Sequence, residues 1–142
     1  MVAQLDTKTV YTFMDSLISI KKYVETAKNL GYQTLGIMDI DNLYGVYHFM
    51  ETAIEQGIQP LLGVEMTLDY AGLPLNLRFL ALDSQGYRNL MKLSTLKMIG
   101  KSKWEEFQHL LEGIAVIVSV FEGIEALDLG REFYIGVFSD TP

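Results

Sequence analysis

Two stretches, Thr34-Leu35-Gly36-Ile37-Met38 and Ile58-Gln59-Pro60-Leu61-Leu62-Gly63-Val64-Glu65, decide the fold. Each is too uniformly apolar to keep a solvated face, so each reads as a buried strand. Pro60 stands near a strand entry, where a missing N–H donor is tolerable. Between them Asn42 can cap a helix in which Leu43, Val46, Tyr47, Met50 and Ile54 hold a helical period, with Gly57 closing it. Two apolar strands separated by a helix need a crossover, which places them parallel and right-handed in one sheet. The expected class is α/β.

Working outward, Val2 to Leu5 is a short apolar entry strand. Ile20, Tyr23, Val24 and Ala27 fall on one face of a helix that stops at Gly31. Downstream the rhythm changes. Met66 to Tyr70 and Leu75 to Leu82 flank Ala71-Gly72-Leu73-Pro74, a turn signal, and read as an antiparallel hairpin. A helix is expected from Ser84 to about Met98, carrying Tyr87, Leu90, Met91 and Ser94 inward. Ser102-Lys103-Trp104-Glu105 has the pattern of a capping box and opens a short helix with Trp104, Phe107 and Leu111 on one side. Strands over Ile114–Val118 and Phe133–Phe138 complete the chain, which stops at Ser139-Asp140-Thr141-Pro142. A parallel strand normally has both faces covered. The expectation is therefore a piece of a longer chain, with residues 1–142 as part of a single domain and apolar surface left open to association.

Composition narrows the class further. The chain has 142 residues, of which 49% are apolar, as a folded chain requires and a disordered one lacks. It has no Cys, which excludes a disulfide framework, a zinc ribbon and a thiolate nucleophile and fits a reducing, cytoplasmic setting. The first residues lack a charged n-region and an unbroken apolar run, so they form no signal peptide. No stretch approaches the roughly 20 apolar residues of a membrane helix. The formal charge is −7, and residues 1–100 carry 8 basic and 10 acidic side chains against 3 and 8 in residues 101–142. Neither part offers the basic stripe of a protein that grips phosphates by itself.

In α/β sheets reactive groups sit at the carboxyl ends of strands. Those ends hold Asp6, Asp39 with Asp41, and Glu65, a set of carboxylates suited to a divalent cation. The competing reading is simpler: strand-end acids cap the next helix or face solvent, and Asp39 lies just before Asn42 and its helix. Histidine is scarce. His48 and His109 both fall inside helices and read as surface residues. No His-x-His, His-Glu-x-x-His or Ser-His-Asp order occurs, and no glycine-rich phosphate loop. Tyr44, Tyr47 and Phe49, at helical spacing, read as core or subunit-contact residues rather than a stacking platform, and the seven Met residues as core filler. A flavodoxin-like binding module would need a phosphate cradle after the first strand, for which Lys8 and Thr9 are a thin basis.

Several segments stand in an order that resembles a known family: Phe13-Met14-Asp15-Ser16-Leu17, Gly36-Ile37-Met38-Asp39-Ile40-Asp41-Asn42-Leu43-Tyr44-Gly45, Gly57 to Glu65, Leu80-Ala81, Gly86-Tyr87-Arg88-Asn89-Leu90-Met91-Lys92-Leu93-Ser94 and Leu111-Glu112-Gly113-Ile114-Ala115. Together, from about Val2 to about Val120, they resemble the N-terminal polymerase-and-histidinol-phosphatase (PHP) domain of bacterial replicative DNA polymerase III alpha subunits. The resemblance implies a distorted β/α barrel, cut here before it closes, whose active members hold up to three metal ions at the strand ends and hydrolyse phosphoesters. It also implies a parent that is a DNA-directed DNA polymerase using Mg²⁺ on palm carboxylates outside this chain. The implied partners are the palm and thumb domains, DNA through the parent chain, and a proofreading or other replisome subunit.

Carried over residue by residue, the resemblance implies a degenerate metal site. The opening His-x-His motif falls on Asp6-Thr7-Lys8. The aspartate of the next element is kept as Asp15. Asp39 keeps the aspartate of the Thr-Asp-His-Gly-like element, but its histidine is Ile40. Glu65 keeps a glutamate, whereas the hairpin histidine falls on Asn76 and a cysteine on Val120. An ammonium stands where a cation would sit, and Ile40 and Val120 offer no lone pair. The expectation is a non-catalytic module in which Lys8 pairs with Asp6, Asp39 or Glu65. The rival expectation keeps a weak metal on Asp15, Asp39 and Glu65, with residual phosphoesterase or 3′–5′ exonuclease activity.

Overall fold

The computed structural model describes residues 3–4, 7–8 and 19–136, with only the backbone given for 3–4. The chain divides into two compact units, Met1–Glu65 and Met66–Pro142.

The first unit carries strand β1 (Ala3–Gln4), helix α1 (Ile20–Asn29), strand β2 (Thr34–Ile40), helix α2 (Val46–Glu55) and the first half of strand β3 (Gln59–Tyr70). β1 pairs parallel with β2, and β2 parallel with β3 in a register that sets Thr34 beside Gln59 and Ile40 beside Glu65. This is the crossover arrangement read from the sequence. α1 buries Ile20, Tyr23, Val24 and Ala27, as its periodicity demands, and Ser19 caps it by accepting from the Lys22 N–H at 3.2 Å. α2 departs from expectation. Its buried residues are Val46, Phe49 and Ala53, while Tyr47 is 70% and Ile54 62% exposed. Phe49 is the anchor because its ring stacks on Tyr23 of α1, centroids 6.0 Å apart. Asn42 does not cap α2 either, since the helix starts after Gly45. Asn42 instead folds an Asx turn, its Nδ2 donating to the Ile40 carbonyl at 2.9 Å and its Oδ1 accepting from the Tyr44 N–H at 3.1 Å.

The second unit holds the rest of β3, strand β4 (Leu73–Ala81), helix α3 (Ser84–Met98), the short helix α4 (Trp104–Phe107), strand β5 (Ile114–Ser119) and strand β6 (Tyr134–Gly136). The expected break between a third strand ending at Glu65 and a hairpin arm starting at Met66 is corrected: β3 is one strand of 12 residues. β3 and β4 turn through Ala71 and Gly72, both left-handed at φ 50° and 86°, with the Asp69 carboxylate accepting from the Gly72 N–H at 2.7 Å. Two positive φ values in a two-residue loop are the backbone that matches the twist of hairpin strands. β4 pairs antiparallel with β5, and β5 parallel with β6. Leu75, Leu77 and Phe79 of β4, Val116 and Val118 of β5, and Leu90 and Leu93 of α3 form the core, closed by Trp104 and Phe107.

α3 spans the expected residues but turns Gly86, Asn89, Leu90, Leu93 and Ser94 inward, leaving Met91 43% exposed. The reason lies at its first turn. The Asp83 carboxylate caps it by accepting from the Gly86 N–H at 2.8 Å, and Gly86 lies so close to the next loop that a Cβ there would run into the Gly113 carbonyl oxygen. Asn89 then donates to the Glu112 carbonyl at 2.9 Å. α4 is capped one residue later than expected: Glu106, not Glu105, accepts from the Lys103 N–H at 3.2 Å. Among the described residues no helix is long and apolar enough to cross a membrane.

Candidate functional site

The carboxyl end of β2 lies beside Glu65, midway along β3, and the segment after β1 joins them, because the Met38 N–H donates to the Thr7 carbonyl at 2.9 Å. That bond carries Lys8 to the level of the end of β2 and of Glu65. Its ammonium stands 3.1 Å from the Glu65 carboxylate, both side chains largely withdrawn from water at 18% and 11% exposure. Charges this poorly hydrated attract far more strongly than a surface pair does.

Tyr23 fixes the segment from below. Its hydroxyl donates to the Gly36 carbonyl at 2.7 Å and shares a hydrogen bond with the Thr7 side chain. Burial pushes its hydroxyl up to about 12, against a smaller lowering by the Thr7 hydrogen bond. The Tyr23 hydroxyl is thus a permanent donor that ties α1 to β2 and to the residue before Lys8. Sequence reading placed Tyr23 only in the core; nothing in a periodic pattern reports where a hydroxyl points.

The register divides the acids of this end. Paired residues project to the same side and successive residues to opposite sides, so Ile40 shares a face with Glu65, whereas Asp39 shares one with Val64. Asp39 is buried at 2% exposure, but on the other face of the strand from Glu65. Asp41 follows at φ 60°, its N–H donating to the Glu65 carbonyl at 2.8 Å. Asp6, Thr9 and Asp15 lie outside the described residues. Among the described residues, no three His, Cys, Asp or Glu side chains come together as a cation would require.

In the second unit Asn76 sits in β4 two residues before Arg78, on the same face. The Arg78 guanidinium, in a residue only 8% exposed, donates to Asn76 Oδ1 at 2.6 Å and to the Ser119 hydroxyl at 2.7 Å, and Ser119 donates in turn to Asn76 at 2.6 Å. Val120, next in the chain, is 54% exposed and offers only methyl groups. Arg78 was not singled out from sequence, although a cation two places from Asn76 in a strand was the available signal. His48 on α2 and His109 in the 3-10 turn Gln108–Leu110 after α4 are exposed.

Among the described residues, those at the candidate positions do not fit a metal cluster of imidazoles and carboxylates. In the first unit Glu65 is engaged by an ammonium and its cross-strand neighbour Ile40 has no donor atom. In the second unit Asn76 is engaged by a guanidinium.

Known proteins share this architecture. Fold alone does not fix function, but the sequence likeness is close. A profile of the PHP domain matches residues 4–135. Over 137 residues, 96% of this chain, it is 50% identical to the DNA polymerase III subunit alpha of Streptococcus pyogenes serotype M1, and over 128 residues 30% identical to that of Rickettsia bellii. The chain spans 13% and 11% of the lengths of those two relatives. Two solved structures share the fold at low identity: a protein assigned as a metal-dependent phosphoesterase from Bifidobacterium adolescentis (TM-score 0.61, 13% identity) and an amidohydrolase from Chromobacterium violaceum with bound sulfate and no metal (TM-score 0.60, 12% identity). Each likeness covers 82% of this chain and 66% of the other, so the partial α/β fold expected from the sequence is the one the chain has. With its profile matched over nearly the whole length, the chain belongs to the PHP domain family.

Proposed function

We propose that this chain is a non-catalytic PHP module, the N-terminal part of a single PHP domain in a DNA polymerase III alpha subunit. The parent carries out template-directed DNA synthesis in the cytoplasm, with Mg²⁺ held by palm carboxylates outside this chain. The module serves as a scaffold that packs against palm and thumb and offers surface to a proofreading or other replisome subunit, meeting DNA only through the parent. The observation that carries the non-catalytic role is the Lys8 ammonium seated 3.1 Å from Glu65. A fixed positive charge there repels a divalent cation and occupies the carboxylate that would hold it.

The rival, a weak metal on Asp15, Asp39 and Glu65 with phosphoesterase or 3′–5′ exonuclease activity, is favoured by the phosphoesterase assignment of one fold neighbour. The opposed faces of Asp39 and Glu65 weigh against it. Elemental analysis of protein purified at neutral pH and a nuclease assay with added Mn²⁺ test the two. The expected result is substoichiometric zinc and manganese and no hydrolysis above a buffer control. Stoichiometric metal, or hydrolysis abolished by Glu65→Gln, would overturn the scaffold reading.

A further inference from the structure

The charge of this chain is not spread evenly. Between Asp83 and Glu105, residues 84–104 carry Arg88, Lys92, Lys97, Lys101 and Lys103 and no acid, in a protein with 18 acidic side chains elsewhere. The stretch is α3 and the turn after it. Lys97 is tethered to the Thr67 carbonyl at 3.2 Å, and Lys101 lies 3.9 Å from Glu106. Arg88 and Lys92 are exposed, and among the described residues their hydrogen bonding is to a neutral group, Arg88 donating to Gln85 at 2.9 Å.

Those two cations flank a groove of about 460 Å³ along the outer face of α3. Its floor is Met91, Leu96 and Leu110, and Thr95 adds little polarity because its hydroxyl is spent on the Met91 carbonyl at 2.9 Å. Arg88 to Leu96 is about two helical turns, roughly 12 Å. Met98 and Ile99, 62% and 65% exposed, prolong the apolar surface beyond it.

We propose that this groove docks a short amphipathic segment of another protein, with apolar side chains three or four residues apart and Asp or Glu beside them. The apolar floor favours a side-chain anchor over a sugar-phosphate backbone, which would meet only two cations there. The cationic rim in an otherwise acidic chain selects an acidic partner by attracting it and by repelling nothing it carries. Methionine at the floor suits the role, since its unbranched thioether adapts to differently shaped anchors. The proposal is independent of the metal question, because it uses none of the residues Lys8, Asp39, Ile40 and Glu65.

The test is panning a random dodecapeptide phage library on the purified chain, then titrating fluorescein-labelled selected peptides by anisotropy. Enriched peptides should carry paired apolar residues with flanking acids. Met91→Glu, at an exposed position that leaves the fold unchanged by circular dichroism, should weaken them more than about tenfold, as loss of a central anchor does. Arg88→Glu/Lys92→Glu should weaken them as well, with a salt dependence lower than the parent's. It should also shift a fresh selection toward Lys- and Arg-bearing peptides. Peptides without acidic enrichment, or binding indifferent to Met91→Glu, would overturn the proposal. So would sedimentation showing self-association that Met91→Glu abolishes, which makes the occupant a second copy. Single-stranded oligonucleotide binding lost with Lys92→Glu but not with Met91→Glu would make it nucleic acid.

Discussion

Lys8 and Glu65 are the residue pair on which the proposed role turns, and their energetics can be measured. At 18% and 11% exposure they stand between surface pairs, which contribute about 0–1 kcal/mol, and fully buried ones, where removing one partner costs about 3–5. Glu65→Gln, which strands the ammonium, is expected to destabilise by about 1–3 kcal/mol in urea unfolding. Lys8→Met/Glu65→Leu should recover most of that loss, and a double-mutant cycle showing strict additivity would deny the coupling. Tyr23 gives a second prediction with a definite sign. Its folded hydroxyl ionises near 12 against about 10 unfolded. The folded state therefore holds the proton longer, so the stabilisation is complete below pH 10 and drains away as the pH climbs toward 12. Two units correspond to about 2–3 kcal/mol. The stability difference between wild type and Tyr23→Phe should shrink by that order between pH 9.5 and pH 12; a difference flat across that window would mean the hydroxyl is not held as described. All three residues were visible in the sequence as letters, but only Lys8 and Glu65 were named there as site candidates, because motif positions name them. The direction of a phenol within a core is set by tertiary packing.

At the scale of elements, legibility followed how local the deciding contact was. α1 was readable to within a residue because its cap, its apolar face and its closing glycine are all inside the segment. α2 was not, because Tyr47 and Ile54 count as apolar in any periodic pattern, whereas the ring of Phe49 on Tyr23 fixes the helix rotation. α3 has the expected bounds, but its inward face was only partly legible, for the same reason. Gly86 must face the Gly113 carbonyl, and a periodicity scan reads glycine as a gap rather than as a contact. The segment Gly86-Tyr87-Arg88-Asn89-Leu90, which carried much of the family resemblance, is thus a joint between α3 and the loop before β5. Gly86→Ala should destabilise by about 2–4 kcal/mol in thermal or chemical unfolding, despite the roughly 1 kcal/mol that Ala gains in helix propensity, since backbone cannot yield as a side-chain tip can. A neutral or stabilising Gly86→Ala would mean that the Gly113 carbonyl does not close off this position. The hairpin offers the opposite sign. Ala71 holds φ 50°, a conformation that costs an L-residue about 1–2 kcal/mol and that Asn tolerates better. Ala71→Asn should raise the unfolding midpoint, with a gain of about 0.5–1 kcal/mol.

For the molecule as a whole, the family and the class of fold were legible because they depend on the order of many segments, and the error of any one is diluted. The site was less so, because a ligand list by position is silent about which face of a strand each residue occupies. Asp39 and Glu65 both stand at strand ends in the sequence, yet the pairing of Asp39 with Val64 and of Ile40 with Glu65 sets them on opposite faces. That geometry makes a claim about restoring what the chain lacks. Lys8→His/Ile40→His would place two imidazoles beside the Glu65 carboxylate, three ligands on one face, which is the smallest set that holds zinc with an open position. The double variant should therefore take up zinc in a chelator-competition titration where the parent does not. Adding Glu65→Gln should abolish that uptake, while adding Asp39→Asn, on the far face, should leave the zinc affinity unchanged within about twofold (a change that small is under about 0.5 kcal/mol). Equal losses from Asp39→Asn and Glu65→Gln would mean that the two acids converge after all, and the strand register would no longer explain why this end of the sheet favours an ion pair over a metal.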